Sequence, residues 1–212
     1  MGADRLFDWL VDGAPGITTP ADVVTRIGEE LVDEGIPVCR ITAFVSTLHP
    51  DVYGRMFSWN AGGATLIREA GNDLILSARF QASPIWKVYR DKVEIRRRLL
   101  DPATPRDFPV TIELDAEGYT DYVALPMMFT TGQGHAISFA TKHAEGFSDA
   151  QIAAMRRINR PLARLAEILA LRRTAANLLS TYVGRNAGER ILAGRIRKGD
   201  ICLLYTSDAA DE

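Results

Sequence analysis

Along the chain the spacing of apolar residues changes period several times, and each change predicts an element. Val23, Val24, Ile27 and Leu31 recur at helical spacing, so one amphipathic helix is expected before Gly35 and Pro37 stop the pattern. Gly13, Pro15, Gly16 and Pro20 punctuate the approach to it. Next, Cys39, Ile41, Ala43 and Val45 alternate with Arg40, Thr42 and Ser46, the period-two mark of a half-buried strand. His49-Pro50-Asp51 supplies a turn, and Val52 to Trp59 reads as the hairpin partner, ending at the turn-prone Asn60-Ala61-Gly62-Gly63.

Ser83 to Tyr89 reads as a short helix, followed by a charged strand from Val93 to Leu99 and a Pro-rich loop from Asp101 to Pro109. Tyr119 to Phe129 and His135 to Lys142 form a second strand pair around Thr130-Thr131-Gly132-Gln133-Gly134, whose two glycines suit a hairpin. Ser148 opens a different regime, with Asp149, Ala150 and Gln151 in the first turn of a long helix. Ile158, Leu162, Leu165, Leu169, Arg172, Ala176, Leu179 and Val183 step by four and three, the heptad spacing of a coiled-coil seam. Pro161 interrupts this run, so the regular seam is expected from Leu162 onwards. Helix, strand pair, short helix, strands, strand pair and exit helix together specify an α+β fold with an antiparallel sheet flanked by helices. That order resembles a GAF-type sensor domain whose last helix runs on as a dimeric signalling helix; PAS domains share much of the pattern.

Charge and cysteine content narrow the class. The 212 residues carry 25 basic and 27 acidic side chains, a balance that speaks against a dedicated nucleic-acid surface. No stretch approaches the roughly 18 apolar residues of a membrane span, and Met1 to Thr19 is too acidic and broken for a signal peptide. A cytoplasmic protein is expected. The final stretch, Cys202 to Glu212 (CLLYTSDAADE), resembles the translated read-through of a transposon-type sequencing-library adapter. On that reading the natural sequence runs to about Ile201 in a chain truncated from a longer parent, and the acidic count falls to 24. Cys39 is then the one natural cysteine, which excludes a disulfide framework within the chain.

A sensor of this shape places its ligand between the sheet and the short central helices. Trp59, Trp86, Tyr89, Tyr122 and His135 are the candidate pocket residues for an unidentified small-molecule effector. Each has a plainer reading. Tryptophans are core fillers by default, and His135 shares a strand face with Ile137 and Phe139, where a lone histidine is more often packed than ligating. Cys39 on the apolar face is expected to be packed rather than reactive. His49, His135 and His143 lack paired metal spacing. Arg96-Arg97-Arg98 alternates faces and reads as a solvated edge. Gly132-Gln133-Gly134 is too short to cradle a phosphate, and no Gly-x-Ser-x-Gly is present.

The stretch from Leu178 to Asp200 (LLSTYVGRNAGERILAGRIRKGD) carries a second resemblance. It is similar to the linker joining a GAF-like region to the catalytic domain of bacterial class III adenylate/guanylate cyclases. Thr47-Leu48-His49-Pro50, Phe57-Ser58-Trp59, Ser83-Pro84-Ile85, Leu125-Pro126 and Gly146-Phe147-Ser148 extend it more loosely. The resemblance implies a sensor domain over 1–147, a signalling helix over 148–183 and a linker over 184–201, marked by Tyr182, Gly184, Gly188 and Gly194. It also implies a homodimer through the C-terminal helix, which would hold two catalytic domains side by side, and a parent that converts ATP to cyclic AMP using Mg2+ or Mn2+. The family's catalytic domain opens with a metal-binding Asp in a motif like F-[SA]-D-[LIM]-[RT]-G-F-T, and nothing of that kind occurs here. No catalytic residue, metal ligand or cofactor is therefore expected within the chain itself. A histidine kinase, a diguanylate cyclase or a stand-alone binding protein could use the same sensor.

Overall fold

The computed structural model describes residues 2–46 and 53–195. The expected His49-Pro50-Asp51 turn, the linker from 196 to 201 and the adapter-like segment 202–212 lie outside the described residues. The chain divides into two compact units, residues 1–168 and 169–212.

The first unit is built on six strands: β1 (Arg40–Ser46), β2 (Gly54–Asn60), β3 (Leu66–Ala70), β4 (Ile95–Arg98), β5 (Asp121–Met128) and β6 (Gly134–Thr141). They form one sheet in the order β3-β2-β1-β6-β5-β4, with every neighbouring pair antiparallel. The alternation read from Arg40 to Ser46 therefore belongs to a central strand. Ile41 pairs with Trp59 on one side and Phe139 on the other, and Ala43 with Phe57 and Ile137. Strand geometry puts all of these side chains on one face.

That face is covered by helices. α2 (Pro20–Asp33) starts where Thr19 Oγ1 accepts the Asp22 N–H at 3.2 Å, with Pro20 preset for the first turn. Its Val23, Val24, Ile27 and Leu31 are buried. Gly28 lets it approach the sheet: a Cβ there would stand 2.6 Å from the Trp59 indole. α1 (Gly2–Val11) precedes it and buries Leu6 and Leu10. α7 (Asp149–Val183) opens with a reciprocal cap, Ser148 Oγ accepting the Gln151 N–H and Gln151 Oε1 accepting the Ser148 N–H. Its Ile152, Met155, Ile158, Leu162 and Leu165 are buried, and Asn159 Nδ2 donates to the Pro126 carbonyl of β5 at 2.9 Å. The first part of this helix is thus core of the first unit. Pro161 is accommodated within it as a single helical element.

The opposite face carries α3 (Asn72–Leu76), α4 (Ala78–Gln81), α5 (Pro84–Asp91) and α6 (Pro109–Ala116). Ser83 caps α5 by accepting the Trp86 N–H at 3.2 Å, and Lys92 ends it in the left-handed region at φ 57°. Ile75, Phe80, Ile85, Val88 and Leu114 pack with Phe44, Tyr122, Ala124, Ala136 and Ala140 of the sheet. Cys39 is half-buried and packed against the same cluster.

The second unit contains the end of α7 and α8 (Arg185–Leu192). Gly184, at φ 81°, breaks the helical path between them. Gly188 then comes so close to α7 that a Cβ would meet Leu179 Cβ at 3.1 Å. Within this unit Leu169, Ala176, Leu179 and Val183 are half-buried and Arg172 is exposed. One position earlier, Leu171, Leu178 and Tyr182 are 60%, 54% and 81% exposed.

Candidate functional site

β6 explains why a cavity exists. Its large residues, Ile137 and Phe139, face α2 and α7, while Ala136, Ser138 and Ala140 face the short helices. Across the sheet Ser138 pairs with Thr42 and Ala124, and Ala140 with Arg40 and Tyr122. Small side chains in the centre of the sheet cannot reach the helices above, which are held off at the margins by bulkier neighbours. The result is a cavity of ≈ 250 Å³ between the sheet and α4, α5 and α6.

The cavity has a polar floor and apolar walls. Arg40, Thr42, Tyr122 and Ser138 rise from the sheet, and Leu74, Phe80, Ile85, Val110 and Leu114 close in from α3, α4, α5 and α6. Ser138 Oγ donates to the Thr42 carbonyl at 3.4 Å and also hydrogen-bonds the Tyr122 hydroxyl. Burial pushes the Tyr122 phenol well above its ordinary value, with the Ser138 hydrogen bond and the Arg40 charge opposing it. Arg79 on α4 forms a two-pronged ion pair with Glu113 on α6, at 2.8 and 2.9 Å, beside the cavity.

The five pocket candidates fall in different places. Tyr122 lines the cavity. Trp59 lies on the opposite face, against Gly28, because its strand position has the parity of Ile41 rather than Thr42. Trp86 and Tyr89 stack on each other with centroids 5.5 Å apart, next to Phe80, Phe44 and Tyr53. They form an aromatic cluster that adjoins the cavity through Phe80. Burial, together with a 3.0 Å hydrogen bond to the Tyr53 hydroxyl, pushes the Tyr89 phenol up to about 12.

His135 is fully buried at the start of β6. Its Nδ1 accepts the Ser46 N–H at 3.1 Å, its ring packs 3.8 Å from the Phe129 centroid, and its Nε2 has no partner among the described residues. Burial holds its pKa down to about 4, with the Glu167 carboxylate opposing. Glu167, on α7, accepts from the Thr130 backbone N–H and hydroxyl in the β5–β6 turn and from Arg164. Burial acts against its ionisation, yet these donors outweigh it and hold the carboxyl below its usual range. The hairpin turn is thereby fastened to the exit helix.

Arg40, Thr42 and Ser138 are not among the residues that the sequence picks out, because single polar side chains within a strand carry no signal of their own. The available signal was the contrast within one strand, large residues at 137 and 139 against small ones at 136, 138 and 140. Among the described residues no group of three His, Cys, Asp or Glu is placed to hold a metal ion. None of the described helices is long and apolar enough to cross a membrane.

No protein-family profile matches the sequence, and no curated protein matches it. Solved structures do. The GAF domain of a two-component sensor histidine kinase from Bacillus halodurans aligns with a TM-score of 0.52 at 14% identity, covering 73% of this chain and 98% of that one. The phycocyanobilin-bound GAF domain of a cyanobacterial phytochrome aligns at 0.53 and 16% identity, covering 81% and 95%. The GAF domain of an Acinetobacter phosphoenolpyruvate-protein phosphotransferase aligns at 0.52 and 10%, covering 82% and 97%. At such identities the likeness speaks to architecture, and with the sheet order and flanking helices it establishes that this chain has the GAF fold.

Proposed function

We propose that the chain is the regulatory region of a class III nucleotide cyclase that makes cyclic AMP from ATP: a sensor that binds a small effector and a helix that pairs two copies. The observation that carries the sensor reading is the cavity itself, floored by Arg40, Thr42, Tyr122 and Ser138 between sheet and helices. A ligand there would press on β5 and β6, and the Thr130–Glu167 hydrogen bonds couple their turn to α7. Binding would act by shifting the population of helix arrangements. The cyclase output rests on the linker resemblance from Leu178 to Asp200.

Pairing is assigned to the second unit. Leu162 and Leu165 are buried in the first unit, and Leu179 is approached by Gly188 of α8. The large apolar residues left open are Leu171, Leu178 and Tyr182, with the half-buried Ala175 between the first two; their steps of four, three and four suit a parallel, self-complementary seam in a second copy. It is the expected heptad moved by one residue, which removes Arg172 from the seam.

Direct amplification and sequencing of the source gene through codon 201 tests the output. A frame entering a strand with the metal-binding Asp motif is the expected result. A kinase phosphoacceptor helix or a diguanylate cyclase motif in its place would transfer the sensor to another output.

A further inference from the structure

Arg40 gives the cavity a chemical preference. It lies on the central strand β1, lines the cavity, and among the described residues its guanidinium has no hydrogen-bond or ion-pair partner. Arg79, the other cation at the cavity, is committed to Glu113. Among the described residues Glu113 is the one carboxylate in the lining, and Arg79 answers its charge. Arg40 thus leaves one net positive charge at a floor that also offers the hydroxyls of Thr42, Ser138 and Tyr122. An unpaired guanidinium beside apolar walls favours an anion with two coplanar oxygens, which it can meet through parallel N–H donors.

Size sets the rest. The cavity holds ≈ 250 Å³, below the roughly 300 Å³ at which pockets for drug-sized ligands begin. A linear tetrapyrrole is far too large. A cyclic nucleotide would bring ribose and base polar groups against Leu74, Phe80, Ile85, Val110 and Leu114 without partners. A phosphate monoester carries close to two charges and asks for more than one free cation.

We infer that the effector is a small organic monocarboxylate with a compact apolar body, such as one ring, its carboxylate on Arg40 with hydrogen bonds from the floor hydroxyls and its body against the α4–α6 walls. This rests on the sensor reading and specifies its ligand.

The test is titration calorimetry of the full chain with benzoate and phenylacetate, and with their neutral counterparts benzamide and phenylacetamide. The expected result is binding by at least one acid, none detectable by its amide, and a roughly ten- to hundredfold loss in Arg40→Gln. Arg40→Lys, which keeps the charge, should retain part of the affinity, and thermal melts of both variants show that they are folded. Amides binding as well as acids, or unaltered acid binding in a folded Arg40→Gln, would overturn the carboxylate assignment and leave the sensor reading standing. Silence from all four compounds overturns the assignment too, and the sensor reading then answers to a broader ligand screen against a cavity-filled variant.

Discussion

Two buried residues hold the first unit together in opposite ways. Asp121 is fully buried and satisfied: it accepts from Arg96 at 2.8 Å and from the backbone N–H groups of Tyr122 and Phe147. Arg96 also donates to the Phe147 carbonyl at 2.6 Å, so the pair ties β4 and β5 to the segment leading into α7. Asp121→Ala leaves the buried Phe147 N–H without its acceptor, while Arg96, 24% exposed, keeps Asp149 at 3.2 Å, and the change is expected to cost about 1–3 kcal/mol in urea unfolding. His135 is buried with Nε2 unpaired among the described residues, and its folded pKa is lowered from 6.5 to about 4. The unfolded chain therefore takes up the proton first as pH falls. Stability from this group is full above about pH 6.5 and drains away towards pH 4, by at most about 3 kcal/mol. Equilibrium unfolding across that window should show the loss, and His135→Gln should flatten it.

At the scale of elements, α2, the central strands and the exit helix were legible from spacing because each has one buried and one open side. α1, β3 and α6 were not. β3 is an edge strand whose first four residues are all exposed, so its sequence shows no alternation. α1 buries only Leu6 and Leu10 before Gly13 and Pro15 interrupt the chain. In α7 the heptad was legible, but a run of leucines does not say whether its partner is the chain's own sheet or another helix. Ile158, Leu162 and Leu165 answer to the sheet side, and the open stripe beyond them is offset by one residue. If the chain pairs as proposed, Leu171→Lys together with Leu178→Lys is expected to leave it monomeric in sedimentation velocity while the thermal midpoint of the first unit stays within about 1 °C, since exposed substitutions cost little. Packing of α2 has its own test: Gly28→Ala drives a methyl into Trp59 and should cost about 1–3 kcal/mol.

For the whole molecule, the fold class followed from element order alone, and the general place of the site followed with it. The residues of the site did not, because a cavity is made by what is small. Ala140, Ser138 and Thr42 matter by leaving room, and composition gives no prominence to such residues. The central claim is that this room receives a ligand. Its most direct test is a small-molecule thermal-shift screen run in parallel on the wild-type chain and on Ser138→Leu, whose added side chain fills the floor. Compounds that raise the wild-type midpoint by several degrees and leave the folded variant unmoved are predicted. Equal shifts in both proteins, or none in either, would contradict the account.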